Sequence, residues 1–203
     1  MRIKLSIFYR ALKGTATTHD RTESMTLYTI GHGTRSTEEL VEALRYFGVR
    51  RLVDVRTYPG SRTNPQFGRE QLEKGLPAYG ITYEHCAQLG GRRRGLGPDS
   101  PNRRWKNTAF RGYADHMLQD GFWAALDDLL REAAAVPTAV MCAETLWWRC
   151  HRRLIADAAT ARGAAVVHIM TSGVAQPHKM LPPASLVGDR VTYVAEGAGD
   201  GRT

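Results

Sequence analysis

Between Leu27 and Ile169, stretches that read as strands alternate with stretches that carry the period of a helix, and few architectures accept that order. Leu27-Tyr28-Thr29-Ile30, Arg51-Leu52-Val53-Asp54-Val55, Gly80 to His85, Thr138 to Met141 and Ala165 to Ile169 are short and are bounded by turn residues or helix ends. After the first strand, Ser36 and Glu39 have the spacing of a capping box. Leu40, Val41, Leu44 and Phe47 then share one helical face, and Gly48 follows the last turn. Further helices are expected near 69–76, 110–118, 122–135 and 150–162, the last stopped by Gly163. Strands joined through helices pair in parallel. The expected fold class is therefore α/β: a single domain with a mostly parallel five-stranded sheet, helices on both faces and Rossmann-like layering. The domain is expected over 26–170, with 1–25 a flexible N-terminal extension and 171–203 a loose C-terminal tail.

In such sheets ligands bind outside the carboxyl ends of the strands. Every expected strand here brings polar groups to that rim. The first ends at Gly31-His32-Gly33, the second at Asp54-Val55-Arg56, the third at His85-Cys86 and the fourth at Cys142-Ala143-Glu144, while His168 lies near the end of the fifth.

Charge narrows the class of partner. The net charge is +8, and arginines supply it in clusters at 92–94, 103–104, 149 and 152–153. That excess suits a phosphate-bearing ligand or nucleic acid. No apolar run reaches the ~18 residues that a membrane span needs, and no cleavable signal is legible in the first residues. Three cysteines, an odd number, do not make a disulfide framework. The expected setting is the cytoplasm, with no membrane partner. Oligomeric state cannot be read from the residues.

The densest chemistry lies in Cys142-Ala143-Glu144-Thr145-Leu146-Trp147-Trp148-Arg149-Cys150-His151-Arg152-Arg153. Cys142, just past a strand, reads either as a thiolate nucleophile or as a small buried cap on the strand. His151, His32 or His168 would move its proton, and Glu144 would orient the base or act as one. Cys150, Leu154, Ala158 and Ala161 fall on one helical stripe, so Cys150 is expected to pack the helix onto the sheet. A Cys142–Cys150 redox pair, or a metal held with His151, has spacing unlike the common motifs, so no metal or other cofactor is assigned. Positive charge at a helix start opposes the helix dipole, so Arg149 and Arg152 ask for an anion there. Arg153 instead pairs with Asp157 at i, i+4. Arg56 and Arg62 are further candidate anion ligands, with Asp54 either the partner of Arg56 or a pin for the next loop. The long segment 86–108 mixes Gly90-Gly91-Arg92-Arg93-Arg94 with Arg103-Arg104-Trp105-Lys106, a combination that suits single-stranded nucleic acid.

Several short motifs occur in a fixed order: Thr29-Ile30-Gly31-His32, Val53-Asp54-Val55-Arg56, Pro59-Gly60-Ser61-Arg62, Leu89-Gly90-Gly91, Phe110-Arg111-Gly112-Tyr113-Ala114, Met141-Cys142-Ala143-Glu144, Trp147 to Arg152, and Val167-His168-Ile169. Over about residues 27–170 this set resembles the family called domain of unknown function 488. The resemblance implies a small cytoplasmic α/β protein, mostly bacterial or archaeal, and carries no settled activity. One departure is Gly33, where the family usually has serine. Enzyme chemistry on a phosphate-bearing substrate is the leading reading of the residues. A non-enzymatic nucleic-acid binder and a thiol-redox or metal protein are the alternatives.

Overall fold

The computed structural model describes residues 25–60 and 63–194. The N-terminal extension expected over 1–25 lies almost wholly outside them. The strands are β1 (Thr26–Gly31), β2 (Arg51–Asp54), β3 (Thr82–His85), β4 (Thr138–Cys142), β5 (Ala165–Thr171), β6 (Val174–Pro177), β7 (Ser185–Val187) and β8 (Arg190–Thr192). The α-helices are α1 (Thr37–Tyr46), α2 (Arg69–Gly75), α3 (Thr108–His116), α4 (Asp120–Ala135) and α5 (Arg152–Ala161).

Six strands form the main sheet in the order β3-β2-β4-β1-β5-β6. The first five run parallel, and β6 pairs antiparallel with β5. The expectation of five strands is thus corrected to six in a mixed sheet. Where the sequence reads as a tail after Thr171, the chain turns at Gly173 and runs back along β5, placing His168 opposite Gln176. A short edge strand ending in Pro177 has no apolar alternation to announce it, and an edge position is where a sheet tolerates proline. Beyond it, β7 and β8 form a separate hairpin, and the ring of Tyr193 is fully buried against the core.

Strand periodicity divides the core between the two faces of the sheet. Leu27, Val53, Val140 and Val166 pack with α3, α4 and α5. Ile30, Leu52, Ala139, Met141 and Ile169 pack with α1 and α2. Each such buried Leu, Ile or Val contributes about 1.5–3 kcal/mol from water exclusion. The α1 cap forms as expected: the Glu39 amide donates to the Ser36 hydroxyl, and the Ser36 amide donates to the Glu39 carboxylate.

The order of strands matters most at β4. It is inserted between β1 and β2, so Cys142 stands beside Gly31 and Val55 N–H donates to Met141 O at 2.9 Å. The ends of β1, β2 and β4 therefore open together on one side of the molecule.

Candidate functional site

A cleft of about 860 Å³ lies over these strand ends. His32, Arg56, Cys142, Glu144, Cys150 and His151 all contribute to its wall, and Arg92 and Arg149 stand in it as well. Most of the residues expected at the rim are brought together here. Arg62 lies outside the described residues. His168 is excluded from the cleft and fully buried beneath it.

The loop from Ala143 to His151 builds the floor. After β4, a 3₁₀ turn at Trp147–Arg149 folds the chain back, and α5 begins only at Arg152. Trp147 anchors this turn. Its indole lies flat on His168, with centroids 3.9 Å apart and planes 6° from parallel. The fold-back corrects only the helical position expected for Cys150, which does pack against the core. It precedes the helix, and its Sγ lies 3.3 Å from Cys142 Sγ.

The two thiols are not equivalent. Cys150 Sγ accepts from Cys142 S–H, from Arg152 N–H at 3.4 Å and from Arg152 Nε–H at 3.3 Å. Cys142 Sγ accepts only the Glu144 amide, at 3.3 Å. Burial alone pushes the Cys150 thiol up. The hydrogen bond from Cys142, the neighbouring His151 and the charge of Arg152 outweigh it and hold Cys150 well below the ordinary thiol range. The donated hydrogen bond, with burial second, keeps Cys142 protonated and well above that range. The sequence favoured Cys142 as the nucleophile, whereas the donors converge on Cys150.

Arg152 is 1% exposed. Its Nη2 donates to the carbonyls of Glu144 and Thr145, its Nε faces Cys150, and among the described residues it forms no ion pair. A buried guanidinium without a counterion is costly, and a thiolate at Cys150 removes that cost. Arg152, expected to face an anion at the helix start, thus turns inward to Cys150 and the loop carbonyls.

His151 Nε2–H donates to Val55 O at 2.9 Å, which leaves Nδ1 as its acceptor nitrogen. A ring nitrogen of His151 and the two sulfurs lie within 4.8 Å of one another. Two sulfurs and one imidazole are also a donor set that a thiophilic cation takes. Gly91 passes close over the ring: a Cβ there would stand 2.3 Å from His151 Nδ1, so a side chain fits only if the ring moves.

His32 has no free lone pair. Its Nδ1–H donates to Gly33 O at 2.9 Å, and Nε2 faces Arg56 Nη1 at 3.3 Å. Burial, with the Arg56 charge adding to it, lowers its pKa to about 4, so the ring is a neutral spacer stacked on Phe67. Arg56 in turn pairs with Asp54, Nη2 to Oδ2 at 2.5 Å, and donates to Phe67 O at 2.7 Å. Tyr83 O–H donates to the same Asp54 oxygen at 2.8 Å. Asp54 and Arg56 therefore satisfy each other. Gly33, the departure noted in the sequence, has φ +54°, and a Cβ there would meet Thr145 Oγ1 at 2.2 Å.

The cations left for a ligand are Arg92 and Arg149. Both are exposed, and among the described residues neither guanidinium makes a hydrogen bond or ion pair. Tyr58, 72% exposed, stands beside them at the mouth. Trp105 is not available for stacking on bases, because it is buried against Phe110, Tyr193 and the Arg153 guanidinium. Buried Asp115 pins the 86–108 segment through Ser100, Asn102 and the Leu96 amide.

Sequence reasoning singled out His168 but not the second polar cluster to which it belongs. Thr29 Oγ1, His168, His178, Asp157 and Tyr193 form a buried chain, with contacts of 2.7, 3.0, 2.8 and 2.8 Å in that order. Asp157 is thereby committed to His178 and Tyr193. The expected pair with Arg153 is absent, and Arg153 donates instead to Leu181 O and Pro182 O. Burial, with His178 second, lowers the His168 pKa to about 3. A lone histidine in a strand and another after a proline carry no spacing that links them. No helix among the described residues is long and apolar enough to cross a membrane.

The family model described as "Domain of unknown function DUF488" matches residues 36–159. No curated protein and no solved structure matches the chain. The matched region holds Cys142, Cys150, His151 and Arg152 and covers more than half of the 203 residues, so the chain belongs to that family.

Proposed function

We propose that the cleft is the active site of a thiolate-dependent hydrolase or transferase. Its substrate carries a phosphate, as a nucleotide or a nucleic-acid end does. Cys150 is the nucleophile and His151 its proton carrier. The observation that supports this most strongly is buried Arg152, paired through Nε with Cys150 Sγ at 3.3 Å and with no carboxylate partner among the described residues. A nucleophile needs an adjacent base that is itself oriented. Val55 O gives His151 that orientation.

In the proposed cycle His151 Nδ1 takes the proton of the Cys150 thiol. Cys150 Sγ attacks phosphorus, the P–O bond to the leaving group breaks, and that oxygen takes the proton from Nδ1. Water then attacks the thiophosphate. The S–P bond breaks, Cys150 leaves as thiolate, and His151 takes the proton of the water. For a transferase, a second hydroxyl replaces water. Arg149 and Arg92 attract the phosphate, and Tyr58 offers a face to a base.

The test is turnover by the full chain on p-nitrophenyl phosphate, nucleoside mono- and diphosphates and 5′-phosphorylated oligonucleotides. Turnover is expected for at least one class, lost in Cys150→Ser and kept in Cys86→Ser. No turnover on any class, or full turnover by Cys150→Ser, would end this reading.

A further inference from the structure

We propose that Cys142 and Cys150 also close a reversible disulfide, and that the cleft thereby reduces hydroperoxides at the expense of a dithiol. The hydrolytic mechanism has no task for Cys142, yet its sulfur lies 3.3 Å from the nucleophile. The two sulfurs need approach by only about 1.2 Å to reach the ~2.05 Å bond. The third cysteine, Cys86, lies beyond the end of β3 and makes no such contact among the described residues.

The geometry also divides the labour. Cys150 is half-buried on the cleft wall and receives the Arg152 amide and Nε–H. Cys142 is 5% exposed and directs its S–H at Cys150. Two sulfurs on one cleft wall, one receiving the donors and the other directing its S–H at it, are the arrangement of an attacking and a resolving cysteine.

Cys150 sulfur attacks the distal oxygen of a hydroperoxide, and the O–O bond breaks. The alkoxide leaves as alcohol with a proton from His151, and Cys150 becomes sulfenic acid. Cys142 sulfur then attacks Cys150 sulfur. The S–O bond breaks, the hydroxyl leaves as water with the Cys142 proton, and the disulfide forms. One equivalent of a small-molecule dithiol reduces it by two exchanges and is itself oxidised to its disulfide. The oxidised state consumes the nucleophile, so it also switches off the hydrolytic site.

The experiment treats the reduced full chain with one equivalent of hydrogen peroxide and follows it by thiol counting and peptide mass mapping. Two of the three thiols are expected to disappear, with a 142–150 cross-link that dithiothreitol reverses. Cys86→Ser should behave the same way. Cys142→Ala, checked for folding by circular dichroism, should instead accumulate a dimedone-reactive sulfenic acid at Cys150. Cys142→Ser serves the same purpose if the alanine variant does not fold. Retention of all three thiols, a cross-link through Cys86, or Cys150 sulfinic acid without a cross-link would each overturn the proposal. So would thiols that react only after chelation of a stoichiometric bound zinc ion. These readouts need no phosphate substrate, so the hydrolytic reading can fail without affecting them.

Discussion

The Arg152 guanidinium and the Cys150 sulfur are a buried pair, Nε to Sγ 3.3 Å, at the first residue of α5. The same guanidinium also ties down the Glu144 and Thr145 carbonyls, so it holds both the charge and the shape of the floor. Arg152→Met is expected to cost about 3–5 kcal/mol in denaturant unfolding, the scale for stranding a buried ionic partner. Arg152→Lys keeps the charge and loses the fork. It should fold, and alkylation of its Cys150 should shift to higher pH.

Gly91→Ala tests the position of His151. The added Cβ would stand 2.3 Å from Nδ1, so the ring must turn away from Val55 O. A displaced His151 no longer helps to hold the Cys150 thiol below its ordinary range. Cys150 alkylation should slow accordingly, while unfolding stability changes little because Gly91 lies in a loop on the cleft wall.

How much of this was legible in the sequence follows from which contacts are local. The strand and helix periods are local, and they located five strands, the α1 cap and a rim carrying His32, Arg56 and Cys142. The pairing of Cys142 with Cys150 is not local in that sense. It depends on the turn at Trp147, and that turn is held by the His168 ring from a different strand. A helical stripe through Cys150, Leu154 and Ala158 assumed a helix that begins two residues earlier than α5 does. The arginine excess at the helix start does not all face a ligand, since the Arg152 guanidinium turns inward onto Cys150 Sγ.

Trp147→Ala should therefore damage the site as well as the core. Deleting a buried tryptophan costs about 3–5 kcal/mol. The 143–151 loop loses its anchor, so peroxide cross-linking of Cys142 to Cys150 should fall along with stability.

Stability should also depend on acid pH. His32 titrates at about 4 and His168 at about 3 when folded, against 6.5 for the free side chain. The unfolded chain binds more protons in the window between, so stability is complete above about pH 6.5 and declines toward pH 4 and below. Thermal unfolding from pH 7 to pH 4 should show this fall, and His32→Asn should flatten part of it.

Tyr193→Phe removes the hydroxyl that donates to Asp157 Oδ2 at 2.8 Å and leaves a buried carboxylate oxygen without that donor. About 1–3 kcal/mol of destabilisation is expected by chemical denaturation. A wild-type curve from this variant would show that the Tyr193 hydroxyl contributes nothing to stability.

The most direct measurement is the pH profile of iodoacetamide labelling, mapped cysteine by cysteine on the native chain. Cys150 is expected to be labelled first, with a midpoint well below that of an ordinary thiol, while Cys142 reacts only at higher pH. Labelling of Cys142 ahead of Cys150, or a Cys150 midpoint at the ordinary thiol value of about 8.5, would contradict that expectation.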